Sequence, residues 1–526
     1  MTLHGYDADA VRAAEAPALA AGRPLMRWAA LEVAAAVREE LAAAQIRSRS
    51  ARVLVLVGGG NNGGDGLHAA ADLAGRGMTV TALLARDQVH PEALERARRA
   101  HVQLLPVSTE EQLTGADWQD AARHAHVWVD ALAGIGIRGG LRGQTAALVA
   151  ALTELRQECT ARVVAVDTPS GITAGTGRLD GPLLAADRTV TMGAAKAALL
   201  LPPAAPQAGT LHVAPLGLDE DFARQPAAVT RLEPADVAAE WPVPRLSDHK
   251  YTRGVLGVVA GSPHYPGAGV LTTGAATATG CGMVRYLGAA EVASRVLDHF
   301  PEVVTAAGRV QALVIGPGIA GEEQVAGLAG AVTAAIEHAP HHQPPAVVWD
   351  AGAFQLLPGR QDLLRATRSV LTPHAGELAT LLTSYGEQVD RSAVEAEPAA
   401  WALRAAELTE SVVLVKGPVT VIAQPDGAVF SQADGSPWLA TAGSGDILAG
   451  VLGALAATSG APLGRVAAAA ALVHGQAARL AGDAGPFGAH HLLDAIPAVI
   501  AEILGHRRAG EMRSRGDIAG QAGRER

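Results

Sequence analysis

The chain has 526 residues, 49% hydrophobic and 18% charged, which excludes a disordered polymer and leaves room for two to four domains. Lys and Arg number 42 against 52 Asp and Glu, a net charge of −10, so no basic footprint for a nucleic acid is expected. No apolar run reaches the roughly 18 residues of a membrane span and the opening lacks a signal pattern, so no membrane partner and a cytoplasmic location are expected.

An alanine-rich amphipathic stretch runs from Val11 to about Ala44. Arg52-Val-Leu-Val-Leu-Val-Gly58 then reads as a buried parallel strand, Gly58-Gly-Gly-Asn-Asn-Gly-Gly-Asp-Gly66 as a turn, and Leu67 to about Arg76 as a helix. Strand, turn and helix make the first unit of a doubly wound sheet, where ligands bind beyond the carboxyl ends of the strands. The turn is not a Walker A loop, since no Lys-Ser or Lys-Thr follows its glycines, nor is it G-x-G-x-x-G with the usual acidic partner. Asn61 and Asn62 offer side-chain amides to a ligand or a cation; turn chemistry alone is the alternative.

Further strands are expected at Thr79–Leu84, Val127–Leu132, Arg162–Val166, Thr189–Met192 and Leu211–Ala214. Three of these end in polar groups: Asp130 in Val129-Asp-Ala-Leu-Ala-Gly-Ile-Gly136, Asp167 and Ser170 in Val166-Asp-Thr-Pro-Ser-Gly171, and Lys196 in Met192-Gly-Ala-Ala-Lys196. An isolated lysine is more often a solvated surface residue. The oxygens of Asn62, Asp130 and Ser170 make a plausible hard-cation site. Cys159 and Cys281 are too few and too far apart for a disulfide framework or a zinc site.

In this order, the Asn61–Gly66, Val129–Leu132, Val166–Gly171 and lysine segments resemble the NAD(P)HX epimerase family, which interconverts the R and S hydrates of NADH and NADPH. The resemblance implies a Rossmann-like sheet. It implies substrate contacts at Asn61, Asn62, Gly63, Gly64, Asp65, Gly134, Ile135, Gly136, Ile137, Arg138, Gly139, Gly140 and Asp167. It also implies potassium (K+) at Asn62, Asp130 and Ser170, and acid–base roles for Asp167 and Lys196. Gly134-Ile-Gly136 stands where that family has Gly-Thr-Gly, and Ala195-Lys196-Ala197 replaces a Pro- and Gly-containing neighbourhood.

From Gly217 to Asp248 the chain turns polar and Pro-bearing, with Trp241-Pro-Val-Pro244, and reads as a link with an entry strand. The expected division is 1–222, a link at 223–240, a second domain at 241–505, and a disordered tail at 506–526. The strand Val255–Ala260 leads into Gly261-Ser-Pro-His-Tyr-Pro-Gly-Ala268. Later strands end in Ile315-Gly-Pro-Gly318, Trp349-Asp-Ala-Gly352, Leu371-Thr-Pro-His-Ala-Gly-Glu377 and Val415-Lys-Gly-Pro-Val-Thr420. Thr441-Ala-Gly-Ser-Gly-Asp-Ile447 then opens an apolar helix. Converging N–H groups and the helix N-terminus favour phosphate there, and a carboxylate at Asp446 makes sense as a base for an attacking hydroxyl. A glycine-rich turn with Asp446 as a cap is the alternative. His338, His341 and His342 read as a solvated loop, and Trp349 as core.

This loop order resembles the ribokinase-like fold and, through His249-Lys-Tyr251 and Ala260–Ala268, the NAD(P)HX dehydratases, which use ADP or ATP to remove water from the S hydrate. The resemblance implies substrate at Ala268, Gly318, His374 and Asp446, and nucleotide with Mg2+ at Lys416, Gly417, Pro418, Val419, Thr420 and Gly445. Asp446 is then the catalytic base. His374 could instead cap a helix. The expected protein is a two-domain α/β enzyme, a homo-oligomer, that epimerises and dehydrates NADHX and NADPHX, with ADP favoured over ATP. The alternative is a hydroxymethylpyrimidine-kinase-type small-molecule kinase carrying a noncatalytic dinucleotide-binding regulator.

Overall fold

The computed structural model describes residues 2–136, 139–173, 175–339, 344–483 and 485–505, so Ile137, Arg138, His341, His342 and the tail 506–526 lie outside the described residues. The chain divides into two compact units, His4–Val229 and Thr230–Arg526, the latter with the first three residues. Among the described residues no helix is long and apolar enough to cross a membrane.

In the first unit the strands are β1 (Leu3–Tyr6), β2 (Arg52–Val57), β3 (Thr79–Leu84), β4 (Gln103–Pro106), β5 (Val127–Ala131), β6 (Arg162–Val166), β7 (Arg188–Met192), β8 (Ala195–Lys196) and β9 (Thr210–Ala214). One wholly parallel sheet runs in the order β4-β3-β2-β5-β6-β7-β9, while β1 and β8 pair separately. β2 shows why an uninterrupted apolar run was the right signal. Val53, Val55 and Val57 pack with the helices Leu25–Ala43 and Asn61–Gly75, and Leu54 and Leu56 pack with Trp118, Leu148 and Leu152 on the other face. β4 was not anticipated from the sequence; its two partly buried leucines between exposed Gln103 and Pro106 carry no alternation to read.

In the second unit the strands are β10 (Val229–Arg231), β11 (Val255–Val259), β12 (Met283–Tyr286), β13 (Ala312–Ile315), β14 (Ala346–Trp349), β15 (Arg368–Leu371), β16 (Val412–Val415), β17 (Thr420–Ala423) and β18 (Val429–Gln432). Their order is β12-β11-β13-β14-β15-β16-β17-β18-β10. The strands from β12 to β16 are parallel, so their carboxyl-terminal loops share one rim; β17 runs antiparallel to both neighbours. The helix Ser444–Thr458 is buried from Ile447 to Ala457 and belongs to the core with Leu256, Val258 and Val314. Trp349 is fully buried, as its place in an apolar strand suggested.

The stretch 223–240, read above as a link, is folded structure. It forms β10 and the helix Pro234–Glu240, and Leu232, Val237, Ala238 and Trp241 join the second unit's core. Gln432 fixes this entry by accepting from Leu232 N–H at 3.0 Å and donating to the Leu232 carbonyl at 3.2 Å. Prolines and acidic residues made it look solvated because its few apolar side chains are too sparse to show a period. We therefore place the working boundary at Thr230. A fragment starting there is expected to be soluble and to melt cooperatively, whereas one starting at Trp241 forfeits the burial of Leu232 and Val237, roughly 3–6 kcal/mol. Thermal melts of the two fragments check this; equal melting temperatures would show that the entry segment contributes nothing.

Candidate functional site

Both units carry a cluster of charged side chains at the carboxyl ends of their parallel strands. In the first, the helix after β2 begins at Asn61 rather than at Leu67, so the asparagine–glycine stretch is the first turns of the helix and not a free turn. The cause is close packing: a Cβ at Gly63 would run into the Gly58 carbonyl, and one at Gly66 would lie 2.5 Å from the Ala131 Cβ. Asn62 and Asp65, three residues apart, consequently share a helix face. They line a cleft of about 880 Å³ together with Glu15, Asn61, Gly134, Ile135, Gly136, Gly140 and Asp167. Gly63 and Gly64 are buried behind that face, and Gly139 flanks the loop with φ +76°.

Lys196, to which the family resemblance gives an acid–base role although its isolation alone favours a solvated position, is 3% exposed. Its ammonium forms an ion pair with Asp167 and donates to the Met192 carbonyl at 2.8 Å and to the Ala194 carbonyl at 3.4 Å. Asp167 has φ +66° and accepts from Met192 N–H at 3.1 Å, so backbone and lysine together fix its carboxylate. Two more acids face this pair. Burial, then repulsion from Asp167 and Glu15, holds the Asp65 carboxyl well above the usual carboxylate range, and its Oδ1 has no hydrogen-bond partner. Burial also raises Glu15, against the attraction of Lys196 and with the repulsion of Asp167. Glu15 was missed from the sequence, because one glutamate on an alanine-rich helix carries no local signal.

Asp130 is fully buried, and burial raises its carboxyl. It accepts from Ser170 N–H at 2.7 Å, from the Ser170 hydroxyl at 2.6 Å and from Leu132 N–H at 3.3 Å. Asn62 lies against Gly134, and its buried amide nitrogen has no partner. The side-chain oxygens of Asn62, Asp130 and Ser170 are of the kind that bind a hard cation, whereas the unpartnered group of Asn62 is an N–H2 donor, which no cation takes as a ligand.

In the second unit, Gly318 has φ +63°, and a Cβ there would come 2.5 Å from that of Ala268, so these two positions form one narrow wall. His374 does cap a helix. Its Nδ1 accepts from Gly376 and Glu377 N–H at 3.0 and 3.1 Å, and Glu377 reciprocates on His374 N–H at 2.8 Å. The rest of the ring stays exposed at the rim. Lys416 Nζ lies 2.8 Å from Asp350 and 3.7 Å from Glu377. Burial pulls this ammonium down, but Asp350, Glu377 and Asp446 outweigh it and raise its pKa. Gly443, at φ +92°, lets the chain enter the helix Ser444–Thr458, and the Ser444 hydroxyl donates to the Leu439 and Thr441 carbonyls at 2.9 and 3.0 Å. Asp446 sits in the first turn of this helix, raised to about 6 by burial and by Asp350, with Lys416 in opposition. Gly445 lies beside Lys416, which is followed by Gly417, Pro418, Val419 and Thr420 between β16 and β17.

Asp350 was not singled out from the sequence, although its place directly after β14 was the available signal. It is 2% exposed and also accepts from the Thr372 hydroxyl at 2.8 Å. His474 was missed as well; it is buried behind the Ser444 turn and held near 4, chiefly by burial, so it is neutral at physiological pH. His338 is an exposed residue at the end of the helix Glu322–Glu337.

Two families match the chain in this order: YjeF-related protein N-terminus over residues 22–198 and NAD(P)H-hydrate dehydratase over residues 256–498. A bifunctional NAD(P)H-hydrate repair enzyme of Mycobacterium leprae is 40% identical over 92% of this chain and 95% of its own. The chain belongs to the family of bifunctional NAD(P)H-hydrate repair enzymes. A relative from Moorella thermoacetica is 34% identical over 91% of this chain. The NAD(P)H-hydrate epimerase of Microbacterium testaceum is 44% identical over 45% of this chain and 87% of its own. An ADP/ATP-dependent NAD(P)H-hydrate dehydratase from Bacillus subtilis, co-crystallised with ATP/Mg2+, is 26% identical with a TM-score of 0.44 over 52% of this chain and 98% of its own. In this repair enzyme, the first family covers the Asp167–Lys196 cleft and the second covers the Asp446–Lys416 rim.

Proposed function

We propose that the protein repairs hydrated nicotinamide nucleotides at two separate centres. The first unit interconverts the R and S hydrates of NADH and NADPH, and the second dehydrates the S hydrate at the expense of ADP or ATP. The observation that carries this reading is a proton-transfer constellation in each unit, set within the family each unit matches. In the first, Asp167 and its paired Lys196 exchange protons with the substrate, and the helix face of Asn61, Asn62 and Asp65 with the loop Gly134–Gly140 holds it. Asn62, Asp130 and Ser170 would hold potassium, whose positive charge would fix this loop and offset the buried Asp130 carboxylate.

In the second unit Asp446 takes the proton from the C6 hydroxyl as its oxygen bonds to the terminal phosphoryl group of the nucleotide. The bond from that phosphorus to the bridging oxygen breaks, so ADP leaves AMP or ATP leaves ADP. The phosphorylated oxygen, now a good leaving group, departs as phosphate; a proton leaves C5 and the dihydropyridine is restored. Lys416 and the N–H groups at Gly443–Gly445 receive the phosphate charge, Lys416–Thr420 hold the nucleotide, and Ala268, Gly318 and His374 hold the hydrate. Asp350 would supply a carboxylate for Mg2+ on the nucleotide, leaving Asp446 free as the base, and Mg2+ would neutralise charge on the phosphates.

A pH dependence follows from Asp446. A base acts ionised, and burial with Asp350 lifts this carboxyl to about 6, so it is about half protonated there. Dehydration of pure S hydrate is expected to fall about tenfold for each pH unit below 6 and to level above it. A kcat/KM profile flat from pH 5 to 8 would remove Asp446 as the base. The decisive test of the overall reading is return of NADH absorbance from each pure epimer with ADP and with ATP. A small-molecule kinase would instead consume nucleotide without producing NADH.

A further inference from the structure

We infer that Arg86 selects the 2′-phosphate of the hydrated dinucleotide, so that the first unit's centre favours NADPHX over NADHX. The inference rests on the epimerase reading above and adds a specificity residue that the motifs do not contain.

Six of the seven strands of the first unit's sheet, β4-β3-β2-β5-β6-β7, follow the order of a six-stranded dinucleotide-binding sheet, with the reversal between β2 and β5 and β9 added beyond β7. In that topology the pyrophosphate lies at the turn after the strand beside the reversal. The adenosine ribose reaches the end of the neighbouring outer strand, and the nicotinamide half falls on the other side. The acid–base pair of this chain is on that other side, since Asp167 follows β6 and Lys196 follows β7. The reacting ring at Asp167 and the pyrophosphate at Gly58–Gly60 therefore direct the adenosine ribose towards the end of β3. The residue there, about 20 residues beyond the glycine turn, decides between ribose hydroxyl and ribose phosphate: an acid accepts from the 2′-hydroxyl, and an arginine takes the 2′-phosphate.

Arg86 stands just beyond β3, lines the same cleft as Asp167 and lies against the turn, its Cγ 3.4 Å from where a Gly59 Cβ would be. Its side chain is exposed, and among the described residues its guanidinium makes no hydrogen bond or ion pair. The acid that would read a 2′-hydroxyl is its neighbour Asp87, but Asp87 accepts from the Ser108 hydroxyl at 2.5 Å. The other arginines of the cleft are placed differently. Arg12 is paired with Asp9 at 2.6 Å, and Arg142 precedes the helix Gly143–Leu155, after β5, on the nicotinamide half. A guanidinium matches a phosphate dianion with two parallel hydrogen bonds, which an uncharged 2′-hydroxyl cannot reproduce.

The test compares the full chain with Arg86→Ala and Arg86→Lys on pure R-NADPHX and R-NADHX, with S-hydrate dehydration as the coupled readout. The wild-type preference for NADPHX, as a ratio of kcat/KM, is expected to fall about ten- to a hundredfold in Arg86→Ala, through KM, since hydrogen bonds to a charged group contribute on that scale. Lysine should restore part of it. An unchanged ratio overturns the inference, as does a parallel loss on both substrates, which would place Arg86 on a phosphate they share. A binding measurement separates this from the epimerase reading: adenosine 2′,5′-bisphosphate should bind wild type more tightly than Arg86→Ala, while AMP should not discriminate. If that difference is seen but the chain interconverts no hydrate, the subsite stands and the epimerase reading falls; if it is absent, the subsite falls whatever the activity.

Discussion

Replacing Asp167 by Asn is expected to abolish use of the R hydrate beyond its spontaneous conversion, and to leave dehydration of the S hydrate nearly unchanged. Asparagine is the informative substitution because the backbone at this position has φ +66°, a conformation that Asn and Asp tolerate and most other residues resist. The amide keeps the shape and can still accept from Met192 N–H, but it cannot carry a proton to or from the substrate. Loss of a positioned acid–base group costs roughly a hundred- to ten-thousandfold in rate. There is a second consequence. Lys196 is 3% exposed, and removing its counter-charge leaves an ammonium in the interior with only carbonyl partners, a change that costs roughly 3–5 kcal/mol in buried pairs. A lower melting temperature for the first unit is therefore expected beside the kinetic loss. Kinetics on pure epimers with calorimetry on the same preparation would check both. Equal loss on the R and S hydrates would point to global misfolding or a shared centre and overturn the assignment.

For Asp446→Asn the expected result is the mirror image: turnover of pure S hydrate falls roughly a hundred- to ten-thousandfold, and epimerisation continues. Asp446 is in the first turn of a helix whose entry, Gly443 to Gly445, presents N–H groups, and it is raised to about 6 because it is buried beside Asp350. A carboxyl near 6 is still largely ionised at pH 7 yet basic enough to accept a proton from an attacking hydroxyl. The amide removes proton acceptance and one negative charge next to the phosphates. ADP should therefore bind as well as before or more tightly, because Lys416 then has fewer carboxylates to offset. Turnover and ADP titration on one preparation decide the matter. Near-normal turnover would show that another group takes the proton. Loss of binding together with turnover would make Asp446 a holder of the loop or of a metal.

Reading the sequence alone located what depends on near neighbours. A short run such as Val53–Val57, rich in β-branched residues and closed by glycine, marks a strand buried on both faces, so the parallel sheets and the order of their loops were legible. So were the glycine and asparagine stretch, the Gly443–Asp446 entry and the acids Asp130 and Asp167 at strand ends, since the chemistry of each is written in consecutive residues.

Tertiary structure decided what depends on residues brought together from far apart. Its own neighbours in the chain would leave Lys196 a solvated lysine, and only the family resemblance gave it a role; its partners, Asp167 and two carbonyls, came when β6 and β7 lay side by side. Asp350 entered the second centre because β14 and β15 carry it and Thr372 to one rim, where Lys416 closes the group. Glu15 joined the first centre from a helix with no motif, and the asparagine stretch became helix because Gly63 and Gly66 could lie against Gly58 and Ala131. The segment 223–240 turned from link to core through Leu232, Val237 and Trp241. Hydrophobic period and turn chemistry act over a few residues, whereas charge pairing and burial depend on which strands become neighbours, and only the folded sheet fixes that.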